Sequence, residues 1–95
     1  MRILALARDV PGTHPEAFAP HLDAEALRAW ELHQAGLLRE IHFRASRRDA
    51  VLLLECADEA EARDALASLP LVKEGLITFE VIPLVPYDGF ARLFR

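Results

Sequence analysis

The chain has one cysteine, Cys56, one lysine, Lys73, and four glycines scattered singly along 95 residues. A lone cysteine excludes an internal disulfide and points to a reducing cytoplasm. It also leaves too little sulfur for a structural zinc site, and the four histidines show no metal-binding spacing. Isolated glycines exclude a glycine-rich phosphate loop, which sets nucleotide binding aside. No apolar run approaches the roughly 18 to 20 residues a bilayer span needs, so no membrane association is expected. The start at Met1-Arg2-Ile3-Leu4 reads as a first strand and not as a leader peptide. Positive charge is also short: eleven basic residues against fifteen acidic ones give −4 and a pI near 5.5. That balance is the reverse of a nucleic-acid footprint. Arg47-Arg48 is the one adjacent basic pair, and it reads as a solvated turn. With no internal repeat or low-complexity linker, residues 1–95 read as one domain.

What is abundant is apolar side chain. At 53% apolar, 27% charged and a mean hydropathy of +0.14, the chain is built to bury a core. A chain this short buries only about 65% of its unfolded surface. The apolar content is rich for that size and implies that a second subunit hides part of it.

The periodicity predicts six elements. Arg2 to Val10 is a first strand, ended by Pro11-Gly12. Thr13 to Pro20 is ambiguous, because Thr13 and Glu16 have capping-box spacing while Pro20 would interrupt a helix begun there. From Leu22, the residues Ala26, Ala29, Trp30, His33 and Leu37 recur at three- and four-residue steps, predicting a helix that stops near Gly36. Trp30 on this face reads as core or interface, and His33 as a packed histidine bonded to a backbone carbonyl. Leu37 to Ala45 alternates as a second strand, with Leu37, Arg39, Ile41 and Phe43 on one side and Leu38, Glu40, His42 and Arg44 on the other. Ala50 to Cys56 is nearly all apolar, as expected of a strand covered on both faces. Asp58 and Glu61 form a capping box for a second helix to about Leu69. After Pro70 an irregular stretch leads to a last strand, Leu76 to Leu84.

Strand, helix, strand, strand, helix, strand is the split βαβ order of an α+β ferredoxin-like sandwich, a four-stranded antiparallel sheet with both helices on one face. The other face has no helix of its own. Within residues 85–95, Tyr87-Asp88-Gly89 signals a turn and Phe90, Leu93 and Phe94 are apolar at helical steps. Such a tail is expected to pack at a dimer interface, since exposed it would be an aggregation-prone patch.

The segments Trp30-Glu31-Leu32-His33 to Gly36, Arg39-Glu40, Phe43-Arg44, the apolar strand ending Leu54-Glu55, Leu69-Pro70-Leu71 and Pro83-Leu84-Val85-Pro86-Tyr87 together resemble the muconolactone isomerase-like family of the dimeric α/β-barrel superfamily. The resemblance spans roughly Leu22 to Phe94. It implies a homodimer, or a ring of dimers, in which two sheets face each other and close a barrel with helices outside. It also implies cofactor-independent chemistry on small cyclic or aromatic compounds, of isomerase type before monooxygenase type. The longer segment before the first helix and the tail from Asp88 to Phe94 depart from the true isomerases.

Strand parity nominates a site on the helix-free face. Glu40, His42 and Arg44 would face that side as the catalytic set, with Arg8, Glu55 and Glu80 beside them as ligand contacts and Thr78 nearby. Parity on the apolar third strand does not decide whether Glu55 joins them. A histidine titrates near neutral pH and can move a proton. An arginine can hold a carboxylate or enolate oxygen through its planar fork. Glu40 can orient the histidine or act as the base. The alternative use of these charges is a solvated or interfacial ion-pair network. Function therefore divides between a cofactor-free isomerase acting on a small acidic or cyclic metabolite in the barrel lumen, a non-catalytic ligand-binding module, and a structural homo-oligomer. No metal is expected. His14 and His21 fall in the ambiguous segment, where they would line an entrance or lie free in a loop.

Overall fold

In the computed structural model, which describes residues 1–95, the predicted order of elements is present with one addition. They are β1 (Arg2–Asp9), α1 (Leu22–Gln34), β2 (Leu38–Phe43), β3 (Ala50–Glu55), α2 (Glu59–Ala67), α3 (Pro70–Lys73) and β4 (Ile77–Leu84). The sheet is antiparallel in the order β2-β3-β1-β4, with the helices on one face, so the fold is the ferredoxin-like α+β sandwich. Thr13 to Pro20 resolves into short 3₁₀ turns rather than a helix, because Pro15 and Pro20 each start a turn and interrupt any longer run. The stretch after Leu69 is not irregular. Pro70 occupies the first position of a one-turn helix, α3, where its missing N–H costs nothing.

Two helices stop on glycine in the same way. Gly36, at φ +82°, follows α1, and the N–H of Leu37 donates to Leu32 while that of Gly36 donates to His33. Gly75, at φ +71°, does the same for α3 through Leu76 to Leu71 and Gly75 to Val72. Both are reciprocal C-terminal caps that need a left-handed residue. At its start α2 carries the predicted cap. The Asp58 carboxylate accepts the Glu61 N–H at 2.8 Å, and Glu61 Oε1 accepts the N–H of Ala57 at 2.9 Å.

The core lies between helices and sheet. Ile3 and Ala5 of β1, Leu52 and Leu54 of β3, Leu32 of α1, and Ala62 and Leu66 of α2 are its centre. The inward face of α1 is rotated from the predicted one. Leu32 is its buried residue at 2% exposure, whereas Trp30 is 56% and Leu27 60% exposed. Trp30 is therefore not core; its indole stacks at 5.5 Å on the ring of His33. His33 makes the expected backbone contact, donating from Nδ1 to the Leu38 carbonyl at 3.0 Å.

A bulge corrects the strand parity at one point. Leu38 pairs with Leu54 and Glu40 with Leu53, so Arg39 is an extra residue in β2. Leu38 consequently turns inward with Leu54 and is 2% exposed, although a regular alternation groups it with Glu40. Beyond the bulge the predicted alternation holds, with Ile41 opposite the inward Leu52 and His42 opposite Val51. Beyond β4 the tail forms a 3₁₀ turn, Gly89–Leu93, in which Tyr87 and Phe90 meet edge to face at 5.0 Å. Phe90, Leu93 and Phe94 remain largely exposed.

Candidate functional site

The helix-free face carries the predicted site residues, spread across the sheet. Glu40 and His42 stand on β2 at one edge, and His42 Nε2 lies 3.2 Å from Glu40 Oε1 with both side chains exposed. Arg44 follows the last residue of β2, half-buried, its N–H donating to the Asp49 carbonyl at 3.0 Å. Glu80 is on β4 opposite Leu6, and Arg8 is opposite Thr78. Since β2 and β4 are the two outer strands, three strand spacings of about 4.8 Å separate Glu40 and His42 from Glu80 by roughly 14 Å. Glu55 shares this face, because its partner Arg2 is two residues from Leu4 and six from Arg8 along β1. Its carboxylate is engaged by the terminal amino group at 2.9 Å and by Arg2 at 3.9 Å. Hydrogen bonding to that amino group holds the Glu55 carboxyl below its usual range, with further help from Arg2 and Arg39. Within one chain, then, the structure brings together Glu40 with His42, and leaves Arg8, Glu55 and Glu80 as separate groups. Between them runs an apolar strip of half-buried Leu4, Leu6, Val51, Leu53 and Ile82.

The other face holds a feature the periodicity does not single out. Under α1, between the helix and the open end of the sheet, lies a cavity of about 420 Å³. Thirteen of its seventeen lining residues are apolar, among them Phe18, Ala29, Ile41, Phe43, Leu52 and Phe79. It exists because the β1, β3 and α1 residues beside it are small, namely Ala7, Ala50, Ala26 and Ala29, so helix and sheet do not fill the gap. Its volume and lining are those of a site for a small ring-sized molecule.

Four charged residues reach this cavity: Asp9, Glu25, Arg48 and Asp49. Glu25 is the distinctive one. It stands on α1 between Leu22 and Ala29, and its Oε1 accepts the N–H of Leu71 at 2.9 Å. It thereby caps α3, whose own preceding residue, Leu69, offers no side-chain acceptor. Burial raises the Glu25 carboxyl above its ordinary value, and the Leu71 hydrogen bond only partly opposes that. A carboxyl so placed is shifted toward the pH at which a general base works well. Asp49, in contrast, is ion-paired by Arg47 at 2.5 Å. The signal for Glu25 in the sequence is one carboxylate at helical spacing inside an otherwise apolar face, a pattern that also describes an ordinary amphipathic boundary.

Cys56 is buried, with its thiol raised chiefly by desolvation, and it packs as a small apolar side chain. No group of three or more histidine, cysteine, aspartate or glutamate side chains is placed to hold a metal ion, and no helix is long and apolar enough to cross a membrane.

The profile of the muconolactone delta-isomerase family matches residues 7–89. The chain belongs to this family. Among solved structures it is similar to a 5-chloro-2-hydroxyhydroquinone dehydrochlorinase from Burkholderia phenoliruptrix AC1100, in complex with 2,5-dihydroxybenzoquinone. The TM-score is 0.71 at 16% identity, over 94% of this chain and 98% of that one. No curated protein matches the sequence. The part that matches the muconolactone delta-isomerase family takes in α1 with Glu25, the strands β2 to β4 and the α3 turn, while most of the tail lies beyond it.

Proposed function

We propose that this protein is a cofactor-independent proton-transfer enzyme of isomerase type, acting on a small cyclic compound in the cavity between α1 and the sheet. The observation that carries this reading is Glu25, a carboxylate with raised proton affinity on the wall of an apolar, ring-sized cavity. Its Oε1 is held by Leu71, which fixes the carboxylate, and Oε2 has no protein partner. Such a group takes a proton from a carbon next to a carbonyl and returns it at another carbon of the same ring. Membership of the muconolactone delta-isomerase family supports the reaction type. The similar dehydrochlorinase, bound to a six-membered quinone ring, supports a cyclic substrate. The test is turnover of an unsaturated lactone panel in deuterated water. Glu25→Gln abolishes both isomerisation and carbon-bound deuterium exchange, and an unchanged rate in the Glu25→Gln variant would refute the assignment.

A second reading places the chemistry on the helix-free face, with His42 as proton carrier, Glu40 as its orienting group and Arg44 as anion contact, and Arg8, Glu55 and Glu80 around them. It is favoured by the 3.2 Å contact between Glu40 and His42 and needs a second copy to close a lumen over them. His42→Ala separates the two readings, since it disables this site and leaves the Glu25 cavity untouched. If ligand binds in the cavity and no panel member is turned over, the protein is a binding module.

Self-association completes either reading. The apolar strip from Leu4 to Ile82, unroofed by any helix, and the exposed Phe90, Leu93 and Phe94 are the surface a second subunit would cover in a homodimer or ring of dimers. A reducing cytoplasm suits a protein whose one thiol is structural.

A further inference from the structure

Arg47 and Arg48 are neighbours in sequence with different fates in the fold. The turn from Arg44 to Asp49 joins β2 to β3 and is closed by the bond from the Arg44 N–H to the Asp49 carbonyl. Arg47 folds back inside this turn onto the Asp49 carboxylate. Arg48 makes no ion pair and no hydrogen bond; its guanidinium carbon lies 4.3 Å from the centre of the Phe43 ring. Held by a ring face rather than by an acceptor, the guanidinium keeps its N–H donors unused. Phe43 and Arg48 both line the cavity beneath α1, and Arg48 is the cation among its lining residues.

We propose that Arg48 is the specificity-determining anion contact of this cavity, selecting planar ring ligands that carry a carboxylate or an enolate-type oxygen. The inference rests on the cavity being the ligand site, as argued under the proposed function. The ring of such a ligand lies among Phe43, Ile41 and Phe79, and its anionic edge meets the fork of Arg48 at the mouth. The acids on the same rim do not cancel this attraction. Asp49 is neutralised by Arg47, and Asp9 shares a hollow with Arg8, Arg47 and Asp49. Of the three acids in the lining, Asp49 is thus paired, Asp9 lies beside arginines, and Glu25 has one oxygen engaged by the Leu71 N–H. A planar guanidinium suits this task because it pairs both oxygens of a carboxylate at once, and its stacking on Phe43 sets its orientation in advance.

The experiment compares salicylate with salicylamide, two rings of one shape that differ in charge, by calorimetric titration of the full chain. The wild type is expected to bind salicylate about ten-fold more tightly at low salt, as a charge-assisted contact allows. In Arg48→Gln the two ligands should bind within about two-fold of each other, with salicylamide unchanged from the wild type. Because Arg48 is an exposed turn residue without a protein hydrogen bond, the variant should fold normally, and its unfolding midpoint verifies this. Equal binding by the wild type, or a preference that survives in Arg48→Gln, overturns the inference while leaving the cavity and Glu25 in place. If the wild type binds neither ring, the cavity reading falls and this inference falls with it.

Discussion

The Glu25 carboxylate on α1 accepts the Leu71 N–H at 2.9 Å, joining the helix that roofs the cavity to the short helix α3 at its side. In the proposed function one side chain thus serves structure and chemistry together, and the two uses have opposite consequences for pH. Because burial raises the Glu25 carboxyl, its neutral form is favoured by folding. Its contribution to stability is full below the unfolded carboxylate pKa and is lost as pH rises through the higher folded value. Urea midpoints of wild type and Glu25→Gln between about pH 4 and 8 should therefore diverge, the wild type losing ground to the variant as pH rises. A constant difference between them would show that Glu25 is not perturbed.

Glu55 runs the other way. Its carboxyl is lowered by the terminal amino group and by arginines, so its contribution is present above the unfolded carboxylate pKa and fades as pH falls through the folded one. Glu55→Gln should flatten the acid side of the stability profile without changing the neutral side's slope. Acid titration followed by circular dichroism checks this.

Leu54 is fully buried on β3 between Ile3 of β1 and Leu38 of β2, and replacing it with alanine should cost about 2 to 5 kcal/mol. The cap at Asp58 is smaller in effect: Asp58→Ala should cost about 1 kcal/mol, because the Glu61 N–H loses its acceptor. Denaturant unfolding of the two variants gives the ratio directly.

Cys56 should resist alkylating reagents in the native protein and react at once in denaturant, since its thiol is buried and held protonated by desolvation. Rapid labelling of the folded chain would place it at an accessible site after all.

Removing residues 87–95 should leave a monomer or an insoluble chain, because it strips Phe90, Leu93 and Phe94 from the surface proposed to join subunits. A soluble dimer of the truncated protein, measured by light scattering, would assign dimerisation to the sheet face alone.

The order of elements was legible because the strands alternate and the turns contain proline, glycine or a capping pair. Four features were not. Leu38 faces inward because the bulge at Arg39 shifts the register, and a bulge leaves no periodic trace where two leucines, Leu37 and Leu38, precede it. Trp30 looks like core by type, yet helical phase, set by Leu32 packing under the cap at Gly36, turns it outward. Glu25 is hidden by the same phase error, since an apolar face drawn through Trp30 is shifted away from one drawn through Glu25, Ala29 and Leu32. The cavity itself follows from alanines at Ala7, Ala26 and Ala50, and a missing volume has no signature in a string of apolar letters.

The turn from Arg44 to Asp49 closes through backbone bonds, and none of its residues belongs to the buried core. Residues there can be exchanged with little penalty to folding, while Glu25 is tied into helix packing and cannot drift so freely. The proposed base and the charge at the mouth can therefore change on separate evolutionary clocks, which would let one scaffold keep the proposed proton chemistry while acquiring new ring substrates.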